Sequence, residues 1–373
     1  MQPTTPPESE HILAKFLDSK AAQKPDTQTR YLQYYQTVLE NVTTGSFGTA
    51  VAMPVQSDHA EMRSRFDELV STPTQTKTTL KGKFATTSSS KEKDSAIRAM
   101  LTVALMMDCD SKEDYPEGYK VRDFVPGSWD DNQSFCAYVQ AVFPTPTLSS
   151  KTRERAHQAI SQQRRLKAWK LKSRYKVKLQ PTNILAEHLV FDKSGRTLKV
   201  FGQVSFLKAH LRRTAQDPID LSFEESLKKG TLPPQLLLEV IDSIQFLLFP
   251  NDKHSVKSLD RFIGTDDFDP DAKYREGHIR KFPDNFEYKY FANRVVALLD
   301  IVNNPPPANR VVAWFERHTS ERNALTVAIL GLFLTALFGF LTTITGFVAM
   351  VYSIKQYDVA LKAMATPTPP GTQ

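Results

Sequence analysis

Leu325–Val351 reads LTVAILGLFLTALFGFLTTITGFVAMV, and its reading decides how the rest of the chain is understood. No charged residue occurs between Asn323 and Ile354, and no proline interrupts the run. At ~1.5 Å per residue such a helix reaches about 40 Å, enough to cross a hydrocarbon core of about 30 Å with tilt. Two shorter spans would need a reversal near Phe338–Leu341, where no Pro, Asn or Asp stands. The spacing therefore predicts one transmembrane helix over 325–352 with a short polar tail at 353–373. Burial inside a soluble core is the weaker alternative, because core helices seldom run this long without a charge.

Working outward, the opening MQPTTPPESEH has neither a basic n-region nor an apolar h-region. Targeting is expected to use the C-terminal helix itself, which makes the chain a tail-anchored, single-pass membrane protein. Arg310, Arg317 and Arg322 precede the span, Lys355 and Lys362 follow it, and this small basic excess places the N-terminal side in the cytosol. The organelle stays open, with the length of the span leaning toward secretory-pathway membranes. Ala328, Gly331, Thr335, Gly339, Thr342, Gly346, Ala349 and Ser353 recur at steps of three and four and fall on one stripe. Small residues let two backbones approach closely in lipid, so this seam is a place for a second copy or a partner helix. Gly and Thr are also simply common in such helices. The span holds no ionisable side chain, the usual marker of an ion pathway.

The 373 residues carry a net charge of +7, distributed unevenly. Residues 1–147 sum to −4, residues 148–213 to +14, and residues 214–373 to −3. The basic excess is therefore local. Residues 151–178 hold eleven Lys or Arg against one acid, Glu154. Within them Arg164, Arg165, Lys167, Lys170, Lys172, Arg174, Lys176 and Lys178 are expected to contact an anionic lipid headgroup or an acidic protein. A solvated face paired with the acidic flanks is the competing reading. Trp169 and Tyr175 among these cations superficially suit nucleic acid, but no recognised nucleic-acid signature accompanies them, so that partner is disfavoured.

Periodicity organises the remainder. Helical spacing appears at 11–23, 28–42 and 57–70, giving an N-terminal helical segment over 1–70. At 71–95, STPTQTKTTLKGKFATTSSSKEKDS has twelve Ser or Thr in 25 positions and reads as a flexible insert, a possible place for phosphorylation. An α+β domain is expected over 96–304. It has helices near 95–107, 135–142, 151–172, 204–213, 233–249 and 287–302, and Trp129 reads as a packing residue. Tyr175–Leu179 alternates like a half-buried strand. Leu189-Val190-Phe191 and Thr197–Phe201 flank Asp192-Lys193-Ser194-Gly195-Arg196, a strong hairpin signal. The expected fold class is thus mainly α (α+β), a helical domain with a small antiparallel hairpin sheet and one C-terminal transmembrane helix. Pro305–Pro307 opens a spacer and juxtamembrane segment over 305–324.

Chemistry is sparsely signalled. No P-loop, G-x-G-x-x-G, G-x-S-x-G or H-E-x-x-H occurs, so no catalytic, cofactor or metal residue is assigned and no cofactor is expected. The run Asp266-Asp267-Phe268-Asp269-Pro270-Asp271 fails the EF-hand pattern at Ala272 and His278 and reads as a capped acidic turn. His188 and His210 flank the hairpin and are the pair that tertiary structure would have to join. Cys109 and Cys136 read as buried thiols of a reducing compartment.

The pieces PGSWDDNQSF, KVKLQPTNILAEHLVFDKSGRTLKVFGQVSFLKAHLRRT, LPPQLLLEVIDSIQFLLFP, YKYFANRVVALLDIVNNPPP and WFERHTSERNALTVAILGLFLTALFGF cover much of residues 126–340. In their order they resemble a broad group of uncharacterised filamentous-fungal proteins with a cytosolic α+β domain and one C-terminal transmembrane helix. The resemblance implies that layout and carries over no catalytic residue. The expectation is a non-enzymatic, tail-anchored binding or scaffold module at a membrane's cytosolic face. An anchored enzyme with groups drawn from distant loops is the alternative.

Overall fold

The computed structural model describes residues 31, 33–38, 58–84, 89–121, 123–161, 166–265, 268–275, 280, 282–283, 286–303 and 324–364. The expected helix at 11–23, most of that at 28–42, the spacer at 305–323, Arg164 and Arg165 lie outside the described residues. The chain divides into two compact units, Met1–Pro305 and Pro306–Gln373.

The first unit is mainly helical with one small sheet. Its helices are α1 (Asp58–Ser71), α2 (Lys77–Lys81), α3 (Ser90–Leu105), α4 (Phe135–Val142), α5 (Ser150–Ser161) and α6 (Ala168–Tyr175). After the strands come α7 (Val204–Arg213), α8 (Phe223–Lys228), α9 (Pro234–Asp242), α10 (Lys253–Thr265) and α11 (Ala292–Asn303). Helix α3 runs into the core, with every residue from Ala96 to Leu105 buried. Its start is fixed by a reciprocal box in which Ser89 caps Glu92 N and Glu92 caps Ser89 N. Around it α1 packs on α3, α11 on α5, α7 on α9 and α10 on α6.

Where it is described, at 71–84 and 89–95, the Ser/Thr-rich stretch departs from the flexible insert expected of its composition. Leu80 and Phe84 are buried, Thr76 caps α2 through Thr79 N, and Thr78 N donates to Asp131 O at 3.0 Å. Phe135 N and Cys136 N donate to Gln75 O and Pro73 O, tying the stretch to the start of α4. Hydroxyls that read as solvent-loving in sequence are here spent on helix starts.

The other differences have local causes. The single helix expected over 151–172 is described as two, α5 and α6. Tyr175–Leu179 is not one strand: Tyr175 ends α6, Lys176 takes a left-handed backbone at φ 54°, and β1 spans Lys178–Thr182. The sheet is mixed rather than purely antiparallel. β2 (Phe191–Asp192) and β3 (Thr197–Phe201) form the expected antiparallel hairpin, but β1 pairs with β3 in parallel, in the order β1-β3-β2. The region 233–249 splits at Ser243 into α9 and a π-helical turn, Ser243–Leu248.

Two buried arrangements hold the unit together. Trp129, 1% exposed, packs against Phe135 at 5.2 Å and Tyr138 at 5.9 Å, and its Nε1 donates to Gln133 O at 2.9 Å. Truncation of Trp129 to Ala is expected to cost about 3–5 kcal/mol, read as a lower urea midpoint for the folded unit. On α9, Glu239 is fully buried and accepts from Gln235 Nε2 and the backbone N–H groups of Lys289, Tyr290 and Phe291. One carboxylate thereby fastens the chain leading into α11.

In the second unit one helix, α12 (Ala324–Met364), runs for 41 residues. The expected polar tail is thus helical to Met364. The portion Ile329–Lys362 is long and apolar enough to cross a membrane, and none of it is buried. That is consistent with a single-pass membrane protein.

Candidate functional site

The basic surface is built on α6 and β1. Ala168 and Leu171 turn inward and seat the helix. Arg196 in the hairpin turn fixes its end, donating from its guanidinium to Tyr175 O and to Lys176 O. Of the eight cations singled out by sequence, Arg164 and Arg165 lie outside the described residues, and the other six separate into distinct roles. Lys167 is a brace, its Nζ 2.8 Å from Asp252 Oδ2. Burial works against the charge on Asp252, but hydrogen bonds from Lys167 and Ser255 outweigh it and hold the carboxyl at about 2. Lys170 is half-buried, with its ammonium 5.5 Å over the Trp169 ring. Lys172, Arg174, Lys176 and Lys178 are exposed and have no acidic partner among the described residues.

Sequence reasoning missed the continuation of this surface on α10. Trp169 meets His254 at 5.1 Å, joining α6 to α10. Helix α10 buries Ser255, Leu259 and Phe262 and exposes Lys253, Lys257 and Arg261, three cations at steps of four. The signal was present as period: these positions lie opposite the apolar ones in KHSVKSLDRFI.

The small-residue seam of α12 is exposed at Gly331, Thr335, Gly339, Thr342, Gly346 and Ala349, while the side chain of Ala328 lies outside the described residues. A Cβ at Gly331, Gly339 or Gly346 would meet nothing within 4 Å. Thr335 and Thr342 donate to Gly331 O and Phe338 O, four residues back, and so satisfy their hydroxyls within the helix.

The expected chemistry-bearing groups are held structurally. His188 Nδ1 accepts from Phe201 N and its Nε2 lies 2.6 Å from Ser243 Oγ. Burial, helped by the nearby charge of Arg294, pushes its pKa well below that of a free imidazole. His210 instead meets Thr231 Oγ1 at 3.1 Å and stacks on Phe206, so the two histidines keep separate partners. Asp269 caps a 3-10 turn, accepting from Asp271 N and from Ser205 N and Oγ, while Asp271 pairs with Lys208 at 2.9 Å. Asp266 and Asp267 lie outside the described residues. Burial pushes the Cys109 thiol up to about 12. Among the described residues no group of three His, Cys, Asp or Glu is placed to hold a metal ion.

One polar cluster had no sequence signature because its members come from three segments. Lys199 Nζ lies 2.9 Å from Glu187 Oε1 and 2.8 Å from the Tyr115 hydroxyl, which itself donates to Glu187. The three line a cavity of about 230 Å³ together with Asp108, Ser111 and Asp114. Burial, reinforced by Glu187, drives the Tyr115 pKa upward and keeps the phenol protonated. Comparison with protein-family models, with curated proteins and with solved structures finds no match for this chain.

Proposed function

We propose that this chain is a single-pass membrane protein whose folded unit is a non-enzymatic binding module for an acidic partner at the cytosolic face. The observation that carries this reading is the set of four exposed cations, Lys172, Arg174, Lys176 and Lys178, with no acid to neutralise them among the described residues. An apolar helix in the same chain supplies the membrane. The basic residues Arg310, Arg317 and Arg322 before that helix support a cytosolic folded unit, and the small-residue seam supports pairing of α12 with a second copy. The resemblance to membrane-anchored fungal proteins agrees with this layout. A second reading, an anchored enzyme, rests on the Tyr115–Glu187–Lys199 cluster beside its cavity.

The test uses the full chain in phosphatidylcholine nanodiscs. Probes are phosphatidylserine vesicles and, separately, polyglutamate. At about 1 kcal/mol per well-placed cation, reversing all four residues to Glu is expected to weaken binding of the preferred probe by two to three orders of magnitude. Raising salt to about 0.5 M should weaken the wild type in the same direction. If neither probe binds, or if the fourfold variant binds as well as the wild type, the reading fails.

A further inference from the structure

A cavity of about 840 Å³ opens between the hairpin and α11, within the size range of small-ligand sites. Leu189, Val190 and Phe191 form one apolar wall, and Ala297 and Ile301 of α11 the other. Leu189 takes a left-handed backbone at φ 58°, uncommon for a residue with a side chain. The strain is held by the hairpin, since Leu189 N donates to Lys199 O and Lys199 N to Val190 O.

Arg294, only 4% exposed, also lines this cavity. Its Nε donates to Asp123 at 3.0 Å, and its Nη1 donates to the carbonyls of Ala186 and His188 at 2.6 Å each. Its Nη2 has no acceptor among the described residues and is not among the buried polar atoms left without a partner, so solvent reaches it, while the guanidinium lies 5.1 Å over the Phe291 ring. Two acids also line the cavity, and Asp192 keeps its charge because its hydrogen bonds favour the carboxylate. Asp192 accepts from Ser194 N, Ser194 Oγ and Gly195 N, and Asp300 is paired with Arg155. At the mouth Lys120 and Lys193 are exposed and have no partner among the described residues.

Apolar walls, a buried guanidinium with one nitrogen unmatched and two free ammonium groups at the mouth define one kind of occupant. We infer that this cavity binds an amphipathic anion, a single carboxylate or phosphate on an apolar chain, with the anionic group on Arg294 and the chain between Phe191 and Ile301. With Nε and Nη1 already engaged, the N–H groups of Nη2 are the ones that can donate to either oxyanion, a charge-assisted hydrogen bond. Amphipathic anions concentrate in bilayers, so a chain carrying α12 resides where they are supplied. The inference is independent of the α6–β1 surface.

The experiment takes the full chain in phosphatidylcholine nanodiscs and measures saturable binding of decanoate, decyl phosphate, decanol and inorganic phosphate by ligand-observed NMR. Decanoate or decyl phosphate should bind, the preferred one identifying the headgroup, while decanol and inorganic phosphate bind at least about tenfold more weakly. Ala297→Phe, which fills the cavity, should raise the Kd of the preferred anion at least about tenfold. Lys120→Glu with Lys193→Glu, confined to exposed side chains, should do so by about three- to tenfold with the unfolding temperature unchanged. Reversal of Lys172, Arg174, Lys176 and Lys178 should leave this Kd within about twofold, which separates the cavity from the basic surface. The inference is overturned if neither anion binds, if decanol binds as well as they do, or if the Lys120/Lys193 pair and Ala297→Phe both leave Kd unchanged.

Discussion

Arginines in place of Leu337 and Leu341 are expected to release the chain from membranes. Both leucines sit on exposed positions near the middle of the apolar helix, one turn apart. Each replacement forfeits a few tenths of a kcal/mol of favourable insertion and adds about 3 kcal/mol of cost, so the pair changes insertion by about 6–8 kcal/mol. Alkaline carbonate extraction reads the outcome. The wild type should stay in the pellet and the double Arg variant should move to the supernatant. A matched Leu337→Ala/Leu341→Ala variant should remain in the pellet, because alanine carries no charge penalty. A double Arg variant as resistant to extraction as the wild type would show that α12 is not what holds the chain in the membrane.

The second large effect concerns α9. Burial pushes Glu239 up to about 7, against the hydrogen bonds it accepts from Gln235 and from Lys289, Phe291 and Tyr290. Burial likewise pushes Asp242 up to about 6, against the hydrogen bond from the Tyr288 hydroxyl. Both carboxyls therefore hold their protons more tightly in the folded than in the unfolded chain. Their contribution to stability is whole below the ordinary carboxylate range, near pH 4, and is lost as pH rises through about 6 for Asp242 and about 7 for Glu239. The folded unit should unfold at lower temperature at pH 8 than at pH 5 through these two groups. Asp242→Asn keeps an acceptor for Tyr288 without a buried charge, so it should raise the unfolding temperature at pH 8, by the equivalent of about 2–3 kcal/mol, and flatten the slope. Glu239→Ala is different. It strands three backbone N–H groups and an amide, and should cost at least about 3 kcal/mol at either pH. Because buried His188 contributes a slope of the opposite sign in this range, the test is the difference between variant and wild type: an Asp242→Asn variant with an unchanged pH slope, or one less stable than the wild type at pH 8, would remove this account.

What the sequence made legible was local chemistry. The hairpin stood out because Asp192-Lys193-Ser194-Gly195-Arg196 carries its own turn: Asp192 accepts from Ser194 N and Gly195 N without help from elsewhere. The apolar helix stood out because its length and lack of charge are properties of one segment. The parallel partner of β3 was illegible, since Lys178–Thr182 becomes a strand only by finding Thr197–Phe201. The order at 71–84 and 89–95 was hidden because Ser and Thr look alike in sequence whether they face water or cap a helix. On the basic surface, Lys172 to Lys178 were visible in the charge sum, whereas Lys253, Lys257 and Arg261 were hidden by the acids around them, which leave residues 214–373 at −3. Arg294 did leave a trace. It stands one helical turn before Leu298 on the buried face of α11, a lone cation among apolar positions.

Both borders of the small sheet are closed to further strands. On one side β1 contains Pro181, which has no N–H to offer a neighbour, and on the other β2 is only two residues long. A sheet with two long open borders templates pairing between copies. With these borders, the sheet of the described residues offers little template for edge-to-edge pairing between copies of the folded unit.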